Sequence, residues 1–521
     1  MSVPTDAFHV YDTTLRDGAQ REGFSPSVND KLAIARHLDD LGVGFIEGGW
    51  PGANPKDAEF FARARTELVL QTAQLAAFGS TRRPGGDVAS DLAHLRDSGA
   101  GIATMVAKAD VRHVERALRT TREENLAMVR DSVAHLRGEG MRVFLDAEHF
   151  FDGYRADAAY ALEVLRVAAD AGADVLVLCD TNGGMLPSQL QDVVGAAVAT
   201  GLRIGIHAHD DTSCAVANSL TAIDVGATHV QGTANGYGER SGNADLFSVV
   251  AALEAKLGRQ VLPDGRLKEL GRVSHAVAEV ANITPDPHQP WVGASAFAHK
   301  AGLHVSAIKA DPDLYQHEDP SVVGNDMRLL ISELAGRATI ELKGRELGLE
   351  PDAATITRVI DRVKDLESVG WSFEVAEASF ELLLREEMGE RPRFFELESW
   401  RVIVERRDDE RVVSEATVKL HAHGARIVAT GEGNGPVNAL DTALRTALLE
   451  LYPGLSALEL VDYKVRIVSG AHGTDAVTRV LVETSDGHTE WSTVGVHENV
   501  IAASWQALDD AYTSGLHRQQ S

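Results

Sequence analysis

Residues 203–212 read RIGIHAHDDT, a short apolar run closing on two histidines, His207 and His209, two positions apart. In a β-strand, positions i and i+2 face the same side, so both imidazoles point together from the C-terminal end of the run. Similar runs recur through the first half of the chain: FHVYDTT (8–14), VGFIEGG (43–49), LQTAQLAAF (70–78), GIATMVA (101–107), RVFLDAEHF (142–150), DVLVLCDT (174–181) and THVQGTA (228–234). Between them lie amphipathic stretches such as NDKLAIARHLDDLG (29–42) and ADAAYALEVLRVAADAG (156–172). There the apolar residues fall at helical spacing and a glycine stops the helix. Eight strand–helix units in about 250 residues are what a parallel (β/α)8 TIM barrel requires. An open doubly wound sheet is the structural rival, but no G-x-G-x-x-G follows the first strand.

Barrel active sites are built at the C-terminal strand ends, where His207 and His209 fall. Two neutral imidazoles on one face make half of a metal site; a hydrogen-bonded histidine pair is the plainer reading. Asp211 is expected to N-cap the helix that follows. Other strand ends are just as polar. YDTTLRDGAQREG (11–23) carries Asp12, Arg16, Asp17 and Gln20; FLDAEHF carries Asp146, Glu148 and His149; LCDTNGG carries Asp180 and Thr181. GTANGYGERSGNAD (232–245) adds Glu239, Arg240 and Asn243 on a loop with four glycines. Caps explain any one of these groups; all of them together point to a single mouth.

Composition narrows the class. The chain has 521 residues, 44% of them hydrophobic, with no long charge-free apolar run, which is the profile of a soluble globular protein without a membrane span. No basic, apolar, small-residue leader opens it, so no secretory signal is expected. Two cysteines, Cys179 and Cys214, give no disulfide framework and point to a reducing cytoplasm. With 50 basic against 77 acidic residues, the formal charge of −27 repels phosphate backbones and argues against a nucleic-acid partner.

Beyond Leu262 the rhythm changes. Segments such as NITPDPHQPWVG (282–293) and KADPDLYQHEDP (309–320) read as irregular structure, followed by a helical stretch from Met327 to Leu384. GERPRF (389–394) reads as a linker. After it come WRVIVER, EATVKLHAHG and NALDTALRTALLEL, then DYKVRIVS, AVTRVLVETSDG and ENVIAASWQALDDAY, a pseudo-repeat of two ββα units. The expected division is a barrel at 1–280, a helical and irregular middle segment at 281–393 and an α+β domain at 394–521. In ARIVATGEGNGPVNALDTAL (425–444) the glycine spacing fails the dinucleotide pattern and no basic residue sits in the turn, so nucleotide binding is not expected.

DTTLRDGAQ, HAHDD and GERSGNAD together resemble the metal-dependent acyl-CoA condensing enzymes, the 2-isopropylmalate, homocitrate and citramalate synthases. AEHFFDGY, CDTNGG, AFAHKAGLHVSAI and STVGVHENVIAASWQAL look most like the long (R)-citramalate branch. The resemblance implies a homodimer that condenses acetyl-CoA with a 2-oxo acid. It implies a divalent metal (Zn2+, Mn2+ or Mg2+) on Asp17, His207, His209 and Asn243. Arg16 would stabilise charge on oxygen, and Thr181 would bind the 2-oxo acid carboxylate, with Gln20 and Glu239 also at the substrate. His304 would be the base that acts on acetyl-CoA, supported by Glu148, and Tyr315 would assist thioester hydrolysis; His299 lies close enough in sequence to compete for the base role. For a citramalate synthase the substrate is pyruvate, and the tail resembles a regulatory domain whose implied effector is isoleucine. Larger 2-oxo acids are the nearest alternative. A lyase or aldolase is further off, because residues 232–245 lack the cysteine that lyases of this superfamily carry there. A non-enzymatic amino-acid sensor is the most distant alternative.

Overall fold

The computed structural model describes residues 6–406, 408, 410–468 and 476–520. The chain forms two compact units, one reaching to Phe297 and including Glu318–Asp326, the other made of Ala298–His317 and the chain from Met327 on.

The first unit is built on eight parallel strands: β1 (His9–Asp12), β2 (Phe45–Gly49), β3 (Gln74–Ser80), β4 (Ile102–Lys108), β5 (Arg142–Glu148), β6 (Val175–Asp180), β7 (Ile204–Ala208) and β8 (His229–Gly232). β8 pairs back onto β1 and closes the barrel. Most strand residues are buried, as strands sandwiched between a barrel core and outer helices must be. The helices start and stop on local signals. Ser27 and Asp30 form a reciprocal capping box for Val28–Leu41, which ends at Gly42 with φ 98°. Tyr11, Phe45, Phe144, Val175 and Val177 fill the barrel interior. Burying each large side chain contributes about 1.5–3 kcal/mol, so the barrel is a packed core and only its ends are open to chemistry. At the N-terminal end, His9 and His229 are buried with their Nδ1 atoms 3.1 Å apart, and Asp6 accepts from His9 and Arg142.

In the second unit the helical stretch resolves into Arg337–Glu346, Ala353–Ser368 and Glu377–Met388. The tail differs from the ββα expectation: each repeat carries three strands before its helix. They are Glu396–Arg406, Val412–Ala422 and Ala425–Gly433 before Pro436–Leu448, then Glu459–Ile467, Thr478–Ser485 and Glu490–His497 before Val500–Arg518. In the first repeat the second and third strands are joined by only His423 and Gly424, both at positive φ (49° and 76°). This is a two-residue turn that barely interrupts the alternating pattern. The residue Ser469 at the end of DYKVRIVS lies outside the described residues.

The tail's packing also reaches back across GERPRF. Ser379, on the helix before it, donates to Asp510 Oδ2 at 2.6 Å and accepts from Val494 N at 3.0 Å. Arg391 in GERPRF itself donates to Asp510 at 2.8 Å. The middle segment is therefore not a single body: residues 318–326 pack with the barrel, and the rest of it from Ala298 packs with the tail.

Candidate functional site

The three side chains at the centre of the barrel mouth come from opposite ends of the first unit's sequence. Asp17 sits in the turn after β1, its N–H donating to Thr13 O at 2.9 Å. His207 lies in β7 and His209 just beyond it. Asp17 Oδ2 is 3.0 Å from His207 Nε2 and 3.5 Å from His209 Nε2, and the two Nε2 atoms are 3.1 Å apart. All three residues are buried. Burial alone would raise the Asp17 carboxyl, but Arg16 beside it and the two histidines hold it well below the usual carboxylate range.

Asn243 joins this cluster from the loop after β8, bridged to His209. Its Nδ2 is 2.8 Å from Asp17 Oδ2, while its Oδ1 is buried with no hydrogen-bond partner. The loop's glycines make the approach possible: a Cβ at Gly238 would overlap Asn243 Oδ1, and Gly242 sits at φ 99°.

These residues fit a divalent cation. With metal–ligand bonds of about 2.0–2.1 Å, adjacent ligand atoms lie roughly 3 Å apart, the spacing seen here. Turning the Asn243 amide about its axis exchanges Nδ2 for the orphaned Oδ1 and presents a fourth donor to the cluster. One contact opposes loading. Arg240, gripped by Asp211, places Nη2 3.0 Å from His209 Nδ1. A cation on Nε2 requires the proton on Nδ1, so Arg240 must withdraw, and its side chain, 40% exposed, can swing into solvent. Asp211 is thus not the helix cap expected of it. Asp210 accepts from Ala215 N at 2.9 Å instead, because the chain turns at Ser213 (φ 56°) before the helix begins.

Arg16 is anchored from a side the sequence did not flag. Its Nε donates to Glu47 Oε2 at 2.6 Å, its Nη1 lies 3.3 Å from Asp17 Oδ1, and its guanidinium stacks 4.0 Å from the centre of the Phe78 ring. Glu47, fully buried in the middle of β2, also accepts from Tyr11 Oη at 2.7 Å and from Thr13. The signal was present: Glu47 is the one charge in VGFIEGG.

The cluster opens into a cavity of about 450 Å³. Gln20, Glu148, Thr181 and Glu239 are on its wall with Arg16 and the cluster, while Phe78, Val106 and Met128 give it an apolar side. Glu148 is paired with Lys108, another residue missed in the sequence because it terminates a β4 run read as ending at Ala107. Burial lowers the Lys108 ammonium. Thr181 Oγ1 accepts from His149 N at 2.9 Å, leaving its own hydroxyl proton to donate. Burial pushes Asp146, with Glu47 nearby, up to about 7. His304 and Tyr315 belong to the other unit, where their rings stack 4.2 Å apart.

The HMGL-like family matches residues 7–277, a homocitrate synthase post-HMGL domain-like family residues 291–370, and the LeuA allosteric (dimerisation) domain residues 374–516. The chain is 67% identical to the (R)-citramalate synthase of Streptomyces coelicolor, over 98% of this chain and 97% of that one. The chain belongs to the (R)-citramalate synthase family. The (R)-citramalate synthase of Aquifex aeolicus is 46% identical over 98% of each chain. Likeness to the 2-isopropylmalate synthase of Methanocaldococcus jannaschii is lower, 30% over all of this chain and 96% of the other. The HMGL-like family depends on a divalent metal, and Asp17, His207 and His209 are the candidate triad for it among the described residues. No helix among those residues is long and apolar enough to cross a membrane.

Proposed function

We propose that this chain condenses acetyl-CoA with pyruvate and hydrolyses the thioester, giving (R)-citramalate and CoA in the cytoplasm. Its similarity to (R)-citramalate synthases along its whole length carries this reading. A proton leaves the acetyl methyl group and the resulting carbanion attacks the ketone carbon. The ketone oxygen becomes the alcohol, and water cleaves the thioester to a carboxylate and the CoA thiol.

Asp17, His207, His209 and the turned Asn243 would hold Zn2+, Mn2+ or Mg2+; such a mixed set of oxygen and imidazole donors does not choose among them. The cation supplies Lewis acidity at the ketone. Arg16, fixed by Glu47 and Phe78, holds positive charge where negative charge develops on oxygen. Thr181 donates its free hydroxyl proton to the pyruvate carboxylate, and Gln20 and Glu239 line the approach. His304 takes the methyl proton, Glu148 supports it and Tyr315 assists hydrolysis; His299, its Nε2 buried without a partner, is the competing base.

The tail is the proposed sensor of isoleucine in a homodimer. It contains a cavity of about 840 Å³ at the start of the helix Pro436–Leu448. Gly435 provides no side-chain cap there, so first-turn N–H groups remain for a carboxylate, while Val437, Leu460 and Ile501 form an apolar wall. Measuring CoA release from acetyl-CoA with pyruvate, 2-oxoisovalerate and 2-oxoglutarate tests the substrate. Pyruvate should be used best; a preference for either larger acid would replace this assignment.

A further inference from the structure

We propose that Gln231 is a positioning residue that sets which ring nitrogen His207 offers to the metal. This rests on the reading of Asp17, His207 and His209 as metal ligands. His207 and Gln231 are register partners on the neighbouring strands β7 and β8. Gln231 is 1% exposed and makes two side-chain hydrogen bonds. Its Nε2 donates to Asp146 Oδ1 at 2.9 Å, and its Oε1 lies 2.7 Å from His207 Nδ1.

The bonds form a chain of constraint. An amide has one donating and one accepting end. Asp146, reaching in from β5, offers an oxygen to Gln231 whether or not its other oxygen carries a proton. That claims the NH2 end of Gln231 and turns Oε1 toward His207. A carbonyl oxygen only accepts, so His207 Nδ1 must carry the ring proton, and the lone pair is left on Nε2. Nε2 is the atom that faces Asp17 Oδ2 and His209 Nε2. Outer partners of this kind fix ring orientation and raise ligand basicity. None of this is visible in THVQGTA read as a strand, where a lone glutamine passes for a polar residue on an outer face.

The test is Co2+ affinity, titrated by its visible absorption into metal-free protein, for wild type, Gln231→Met, Gln231→Glu and His207→Ala. Nδ1–H protons are followed in Zn2+-loaded, histidine-labelled protein by NMR. Gln231→Met should weaken Co2+ binding about 10–100-fold, and the slowly exchanging Nδ1–H signal of His207 should disappear. Gln231→Glu keeps an acceptor for His207 but sets an oxygen against Asp146 where the NH2 stood, so it is made together with Asp146→Asn, whose amide supplies the missing donor; this pair should restore the signal and bring affinity to within about threefold of wild type. If Gln231→Met does not fold, Gln231→Asn, one methylene too short to reach both partners, takes its place. Wild-type Co2+ affinity in the Met or Asn variant overturns the proposal, as does a Gln231→Glu, Asp146→Asn pair no better than Met. Wild-type affinity in His207→Ala, by contrast, overturns the ligand assignment itself.

Discussion

Replacing Glu47 by Gln removes one charge from the barrel mouth and leaves its shape nearly unchanged. Glu47 is fully buried, and its two carboxylate oxygens receive three donors: Arg16 Nε, Tyr11 Oη and Thr13 Oγ1. Glutamine keeps one oxygen and presents an NH2 group where the other stood. At least one of the three donors then faces a donor, which costs about 1–3 kcal/mol. The larger loss is electrostatic, because breaking a buried ion pair by removing one partner costs about 3–5 kcal/mol. Arg16 keeps only Asp17, at 3.3 Å, and should turn toward it, drawing that carboxylate away from the histidines. A guanidinium displaced by about 1 Å is enough for a rate loss near 100-fold. The assay is kcat with pyruvate at saturating metal, alongside urea unfolding. Tyr11→Phe serves as the control: it removes one donor and no charge, and should cost about 0.5–1.5 kcal/mol with kcat within tenfold of wild type. If Glu47→Gln keeps kcat within a few fold while Tyr11→Phe behaves as expected, Arg16 is not held for catalysis by this ion pair.

His304→Ala should keep its metal and still bind pyruvate but stop exchange of the acetyl methyl protons with deuterated solvent, measured with a non-reacting 2-oxo acid; wild-type exchange would move the base to His299 or elsewhere. Stability should fall in mild acid. Burial holds His9 near 4 against an unfolded value of 6.5, so between these pH values the unfolded chain binds more protons than the folded one and stability declines as pH drops, by up to a few kcal/mol. Urea midpoints at pH 7 and pH 5 should differ for the wild type and differ less for His9→Gln, in which His149 and His229, also lowered by burial, remain; an equal difference in both would assign the acid sensitivity to other groups. Isoleucine should inhibit the full chain and have no effect on one ended before residue 374, a boundary that keeps the Ser379–Asp510 contact from being split. Binding of leucine but not isoleucine would count against the pyruvate assignment as well.

The parts of this protein legible in one dimension are those governed by local periodicity. Apolar runs and amphipathic helices returned every strand of the barrel, since burial on both faces leaves an apolar run and a helix leaves a 3.6-residue period. H-x-H at a strand end declared a shared direction for His207 and His209, because the pleat repeats every two residues. The tail already strained this method. The turn at His423–Gly424 is too short to break the alternation, and a strand there went unread. The rest of the site depends on closure. Asp17 and Asn243 meet across 226 positions, and Glu47, Asp146 and Gln231 become an anchor and a relay only once β2, β5 and β8 close around the same axis. A buried carboxylate or amide takes its role from the donor it faces, and which donor that is depends on strand order and register. Those are fixed by the closed sheet as a whole, not by any stretch of sequence within it.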